Sequence, residues 1–147
     1  MTLEEEIKQT KFKSQIQKAI INILFTAGWI GNDHHRFFKK YEISSQQFNI
    51  LRILRGQNEN PASMGLLQGR MLDRMSNASR LVEKLKQKGL VDRRECKIDR
   101  RQVDVFITRK GLDLLDEIGS RLDDNLVENI TNEEAITLNK ILDKLRG

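Results

Sequence analysis

The side chains in this chain best suited to chemistry are cationic and hydrogen-bonding, and they cluster. From Arg74 to Lys110 there are twelve Lys or Arg against five Asp or Glu, a net charge of +7, whereas Gly111 to the end is net −5. A localised basic segment beside an acidic one points to a polyanionic partner, with nucleic acid the first candidate, rather than to an evenly solvated surface. Arg74, Ser76, Asn77, Ser79, Arg80 and Lys84 make one group within that stretch, and Lys97, Asp99, Arg100 and Arg101 make a second. An arginine can pair with guanine O6 and N7, and an asparagine with adenine. An arginine carried on a projecting tip can enter a minor groove, where narrow A·T tracts focus negative potential.

Other chemistries find little material. Two histidines and one cysteine are a poor catalytic inventory, and no glycine-rich phosphate loop or Ser-His-Asp order accompanies them. The chain therefore reads as a non-enzyme with no cofactor. Asp33-His34-His35 invites a metal, but neighbouring histidines on a helix point about 100° apart. No CxxC or HxxxH spacing supports them, so no metal site is expected. Cys96 lies among bases, a setting in which a cysteine can sense oxidants, so a redox-responsive regulator acting through Cys96 stands as an alternative. One cysteine excludes an intrachain disulfide and suits a reducing, cytoplasmic setting. Glu4, Glu5 and Glu6 are unlike the start of a signal peptide. The apolar run Ala19 to Ile30 is too short to span a bilayer and is broken by Asn22 and Thr26, so no membrane partner is expected.

The elements that must position the basic groups follow from periodicity. With 147 residues, 38% of them hydrophobic and 32% charged, the chain suits one soluble, mainly α domain. Apolar spacing predicts a first helix from about Lys11 to Tyr41, with Gly28 and Gly31 marking a bend or close contact. Ser44 and Ser45 can cap a second, with Phe48, Leu51, Ile53 and Leu54 inward, ending near Gly56. GQNENPAS reads as a turn, after which Ser63 to Met71 forms a short helix with Leu66 and Leu67 buried. A second short helix runs from about Arg74 to Lys88 and stops at Gly89. Its inner face carries Ala78, Leu81, Val82 and Leu85; Ser76, Arg80, Glu83, Lys84 and Gln87 lie opposite. Val103, Val105 and Ile107 alternate as a half-buried strand does, and Leu90 to Glu95 is its antiparallel partner. Two helices close the chain: Thr108 to about Asn129, with Leu122 and Leu126 inward, and one opened by the capping box at Thr131.

Helix, turn, polar-faced helix and basic hairpin make the order of a winged helix-turn-helix, whose second helix enters the major groove. NASRLVEKLKQKGLVDR resembles the recognition helix and wing entry of the MarR family. DRRQVDVFITRKG resembles its wing signature at Asp99, Arg101, Ile107, Thr108 and Gly111. The resemblance implies that Asp99 holds Arg101 by a salt bridge as the arginine enters the minor groove, with Arg100 as a second contact. It implies one MarR-type domain over 1–147. Residues of about 44–110 would form the DNA-binding lobe, and about 1–41 and 111–147 the dimerisation helices. It further implies a homodimeric regulator of transcription, in most cases a repressor, bound to a near-palindromic operator in double-stranded DNA. A small, frequently aromatic effector would release it, with Trp29, Phe37, Tyr41 and Phe48 as the candidate cleft. The rival from another class is a protein-interaction or anti-repressor module, which would keep the helices and lose the basic tip.

Overall fold

Six of the seven described α-helices start where a hydroxyl or amide side chain accepts a free backbone N–H of the first turn. A computed structural model describes residues 1–58, 60–119, 121–123 and 128–147. They divide into two units, Met1–Ser45 and Gln46–Gly147. In the first unit, helix α1 (Leu3–Ile7) opens with a capping box: the Thr2 hydroxyl accepts from the Glu5 N–H and the Glu5 carboxylate accepts from the Thr2 N–H. Five residues are too few for periodicity to reveal, so the sequence reading missed this turn. Helix α2 (Gln15–Lys39) starts where Ser14 accepts from the Gln17 N–H at 3.1 Å, four residues later than expected. Lys18 pairs with Glu4. A Cβ on Gly28 or Gly31 would meet nothing within 4 Å, so neither marks a close contact. Phe38 is buried, while Ile16, Ile20, Leu24 and Trp29 stay exposed.

The second unit runs α3 (Ser45–Arg55), β1 (Ala62–Ser63), α4 (Met64–Arg70), α5 (Ala78–Gln87), β2 (Val91–Glu95), β3 (Val103–Ile107) and α6 (Arg109–Ile118), and the last described helix is α7 (Asn132–Arg146). The strands form one antiparallel sheet in the order β1-β3-β2. Val91 pairs with Ile107, Arg93 with Val105 and Glu95 with Val103. The two-residue β1, with Ala62 opposite Val105, was too short to read from sequence. Ile50, Leu51, Leu54, Leu67, Ala78, Val82, Leu85, Val91, Val105 and Ile118 are no more than 2% exposed and form the core. Leu66, expected inside, is only half-buried. Helix α6 stops at Ile118, well short of Asn129, and Leu122 follows in a single 3₁₀ turn, Arg121–Asp123; Leu126 lies outside the described residues. Helix α7 has the predicted capping box, in which the N–H and hydroxyl of Thr131 hold the Glu134 carboxyl below the usual carboxylate range. No residue of α7 is buried.

One junction ties α5 to the hairpin and to α6. After Lys88 the chain turns through Gly89 at φ +73°, a left-handed conformation that favours glycine. There Gly89 N–H donates to Lys86 C=O at 2.9 Å and Leu90 N–H to Leu85 C=O at 3.0 Å, the paired bonds of a Schellman turn. Thr108 reaches back into this turn, its hydroxyl donating to Gly89 C=O at 2.7 Å and its N–H to Leu90 C=O at 3.1 Å. The same hydroxyl caps α6 by accepting from Gly111 N–H at 3.1 Å. A Cβ on Gly111 would lie 2.3 Å from the Leu90 carbonyl oxygen and 2.8 Å from Ile107 Cγ1, so only glycine fits. Gly111→Ala is expected to cost about 1–3 kcal/mol, because the backbone clash outweighs the roughly 1 kcal/mol helix-propensity gain of alanine. Urea unfolding of the two proteins measures the difference, and an unchanged or raised midpoint would contradict this account of the junction.

Candidate nucleic-acid interface

Helix α5 is shorter than the sequence suggested. It begins at Ala78 because Asn77 is its N-cap, the side-chain oxygen accepting from Arg80 N–H at 3.0 Å. Arg74 and Ser76 therefore precede the helix in the α4–α5 turn, a correction to their expected place on its reading face. Arg74 donates back to the Gly69 carbonyl. The Ser76 hydroxyl is buried and has no hydrogen-bond partner among the described residues. Asn77 is exposed, but its carbonyl oxygen belongs to the cap, leaving the amide NH₂ to face a partner. Ala78, Val82 and Leu85 point into the core with no exposure. Ser79, Arg80 and Lys84 point outward and are exposed, as the 100° step requires. At ten residues the helix is about 15 Å long, enough to lie in a major groove.

Two amides that the sequence reading passed over hold the start of this helix. Gln68 on α4 donates to the Ser76 carbonyl at 2.7 Å and accepts from Ala78 N–H at 2.9 Å. Asn49 on α3 accepts from Leu72 N–H at 2.9 Å. Gln68 and Asn49 look like ordinary surface polars in sequence; the only signal was that each adjoins a core residue, Leu67 and Ile50 respectively.

The hairpin tip, residues 96–102, is ordered by Asp99. Its carboxylate accepts from Arg101 N–H at 3.0 Å, and its carbonyl from Gln102 N–H at 2.9 Å. Cys96 N–H donates to Gln102 C=O at 3.0 Å and closes the loop. No Asp99–Arg101 side-chain ion pair occurs among the described residues; the aspartate braces the main chain of the arginine instead of its guanidinium. Lys97, Arg100 and Arg101 are exposed around it, and Cys96 is half-buried at the base. Arg94 stacks over Phe106, 4.9 Å from the ring centroid, which turns it away from the tip. Arg93, opposite Val105, shares the inward face of the hairpin and pairs with Glu83 of α5 at 2.8 Å.

The residues proposed for an effector cleft fall in different units. Trp29, Phe37 and Tyr41 are in the first, where Phe37 and Tyr41 have centroids 5.5 Å apart and Lys40 lies 4.3 Å over the Phe37 ring. Phe48 is in the second, buried, with Arg52 5.9 Å from its ring. His34 packs edge-on to Phe38, with centroids 6.2 Å apart. Among the described residues no cluster of three or more His, Cys, Asp or Glu could hold a metal, and no helix is long and apolar enough to cross a membrane.

Gln68→Ala should strip the partners from the Ser76 carbonyl and the Ala78 N–H, at a cost of about 1–3 kcal/mol. It should also loosen α5 at its N-terminal end. Amide hydrogen exchange is expected to accelerate at Ala78 while staying slow at Val82; equal protection at Ala78 in both proteins would remove Gln68 from this role.

Residues 43–103, from the approach to α3 through the tip of the hairpin, match the MarR family. The curated regulator MgrA of Staphylococcus aureus, an HTH-type transcriptional regulator, is 25% identical over 112 residues, which span 76% of this chain and 75% of that one. An organohalide-sensing transcriptional regulator, solved with 2,4-dichlorophenol bound, superposes with a TM-score of 0.79 at 23% identity, covering 94% of this chain and 85% of that one. A variant of MarR from E. coli complexed with operator DNA gives a TM-score of 0.76 at 21% identity, covering 92% and 99%. Taken with the three-stranded lobe, these likenesses show that residues 43–103 are similar to the MarR family and that the chain has the winged-helix fold of the MarR-type regulators it superposes on.

Proposed function

We propose that this chain is a homodimeric repressor that binds a near-palindromic operator in double-stranded DNA and is released by a small aromatic molecule. The observation that carries the DNA half is the shared lobe. Ser79, Arg80 and Lys84 on α5 and Lys97, Arg100 and Arg101 on the ordered tip are all exposed, while the apolar residues of the same elements fill the core. On this reading α5 lies in the major groove, with Arg80 on a guanine, the Asn77 amide beside it and Lys84 on phosphate. Arg101 enters the adjoining minor groove, with Lys97 and Arg100 on its flanks. The turn residues Arg74 and Ser76 drop out of the base-reading set. The fold shared with a DNA-bound MarR variant supports this docking.

The dimer half rests on exposed apolar residues. Ile16, Ile20 and Leu24 on α2 and Ile136, Ile141 and Leu145 on α7 are 44–72% exposed in a single chain. Repeated every four or five residues along a helix, such side chains mark an interface. A second copy, supplying the same surfaces about a two-fold axis, covers them. Residues of about 44–110 would then be the DNA lobe, with 1–41 and 111–147 pairing the protomers in the cytoplasm. The effector half rests on the 2,4-dichlorophenol complex of a relative by fold, with Trp29, Phe37 and Tyr41 of the first unit as the aromatic side chains such a molecule would meet.

Arg80→Ala is expected to cost about 1–3 kcal/mol per half-site and to relax preference at one base pair. Arg101→Ala should weaken binding more evenly and reduce a preference for A·T flanks. Asp99→Ala, by freeing the tip that presents Arg101, should reproduce part of that defect. With about three or four phosphate contacts per protomer, log K against log salt should fall with a slope of about −5 to −7 for the dimer. Fluorescence anisotropy with DNA from upstream of the chain's own gene measures all four. Parent-like affinity in all three variants, or a slope near zero, would move the DNA to another surface.

A further inference from the structure

In sequence Arg93 is one charge among twelve; in the fold it stands where the hairpin meets α5. Two surface grooves flank that junction. One is lined by Arg80, Glu83, Lys84 and Gln87 of α5, and the other by Ser63, Gly65, Arg101 and Gln102. Ser79 and Arg93 line both. In a duplex the major and minor grooves are separated by one sugar–phosphate strand, so a protein with a helix in one and a hairpin tip in the other must let that strand pass between them. Resting on the DNA reading above, we infer that Arg93, with the Ser79 hydroxyl beside it, is the seat for the backbone phosphate that crosses from the α5 groove to the tip groove.

The chemistry suits that task. Arg93 stands opposite Val105 in the sheet, so its side chain leaves the hairpin towards α5. Its Nη2 meets the Glu83 carboxylate at 2.8 Å, with the Arg93 side chain 37% exposed. A guanidinium has five N–H donors in a fixed plane, and one carboxylate cannot use them all. Glu83 thus aims the arginine and limits the rotamers it must give up on binding, while the remaining donors face the grooves. The carboxylate also explains why a DNA-facing helix carries an acid: left unpaired it would repel the strand, and paired it positions a cation. Arg93 is in this sense a binding residue and Glu83 a positioning residue.

The test compares Arg93→Gln, Arg93→Lys and Glu83→Gln with the parent by salt-dependent anisotropy, on a duplex from upstream of the chain's own gene and on one of random sequence. Thermal unfolding first confirms that each variant folds. Arg93→Gln should weaken both duplexes by a similar factor of about tenfold or more, and its salt slope should be shallower by about two units per dimer, one for each phosphate lost. Arg93→Lys, which keeps the charge and loses the fork, should restore the slope and part of the affinity. Glu83→Gln should keep the full slope. Methylphosphonate scanning of a half-site should then reveal one position that weakens the parent but weakens Arg93→Gln no further. If Arg93 were only a strut between hairpin and helix, Glu83→Gln would copy Arg93→Gln and both would keep the parental slope; that result overturns the inference. So does a defect of Arg93→Gln confined to one base sequence, or a methylphosphonate effect that is undiminished at every position. A parent that binds neither duplex would overturn the DNA reading itself, whereas a parent that binds, with Arg93→Gln indistinguishable from it, would remove only the phosphate seat.

Discussion

The lobe depends on one close approach of backbone to backbone. Gly111 lies so near the Leu90 carbonyl that no side chain fits between them. That single contact brings together the end of α5, the start of β2, the end of β3 and the start of α6. Thr108 fastens the same point with hydrogen bonds to Gly89 and Leu90 and a cap on α6. Because main chain rather than long side chains sets the spacing, the direction of α5 relative to the hairpin has little room to drift. A protein that must put a helix in one groove and a tip in the next needs that angle fixed before it meets DNA, since ordering it on binding would subtract from affinity.

The other end of α5 is fixed differently. No backbone close approach is available there, and amide side chains take over. Asn77 caps the helix, Gln68 bridges the turn to its first residue, and Asn49 holds Leu72. Each satisfies backbone groups that the turn would otherwise leave unpaired. With the ends held and Ala78, Val82 and Leu85 sealed in the core, the outward residues of α5 carry little of the lobe's stability. Arg80 and Lys84 can thus be suited to a partner without cost to the fold. The tip follows the same division, Asp99 spending its carboxylate on the main chain so that Lys97, Arg100 and Arg101 stay available.

Much of this was legible in the sequence because it rests on periodicity and caps. The 3.6-residue spacing of α3, the alternation of Val103, Val105 and Ile107, and the box at Thr131 each have one physical reading. What escaped has physical reasons too. Five-residue α1 and two-residue β1 are shorter than any period. Arg74 and Ser76 were assigned to the helix because apolar spacing carries no mark of where a cap falls; the asparagine one residue later was that mark, and it was read as a base contact instead. The end of α6 at Gly119 was passed over because the leucine spacing continues beyond it. The Asp99–Arg101 brace was expected between side chains and occurs on the main chain, a choice that depends on the tip's conformation and not on residue type. Gln68 and Arg93 share a further cause: their roles come from contacts across ten residues of sequence, to Ala78 and Glu83 respectively, and spacing along one element cannot reveal such a pair.

On the proposed docking, one lobe reads two grooves of the same half-site. Methylation interference tests it in one reaction, since dimethyl sulfate marks guanine N7 in the major groove and adenine N3 in the minor groove. Guanine methylation inside the half-site and adenine methylation at its A·T flank are both expected to block binding, with the two sets of positions separated by a short gap where the strand crosses. Interference confined to one groove, or the same positions blocked in both, would contradict it.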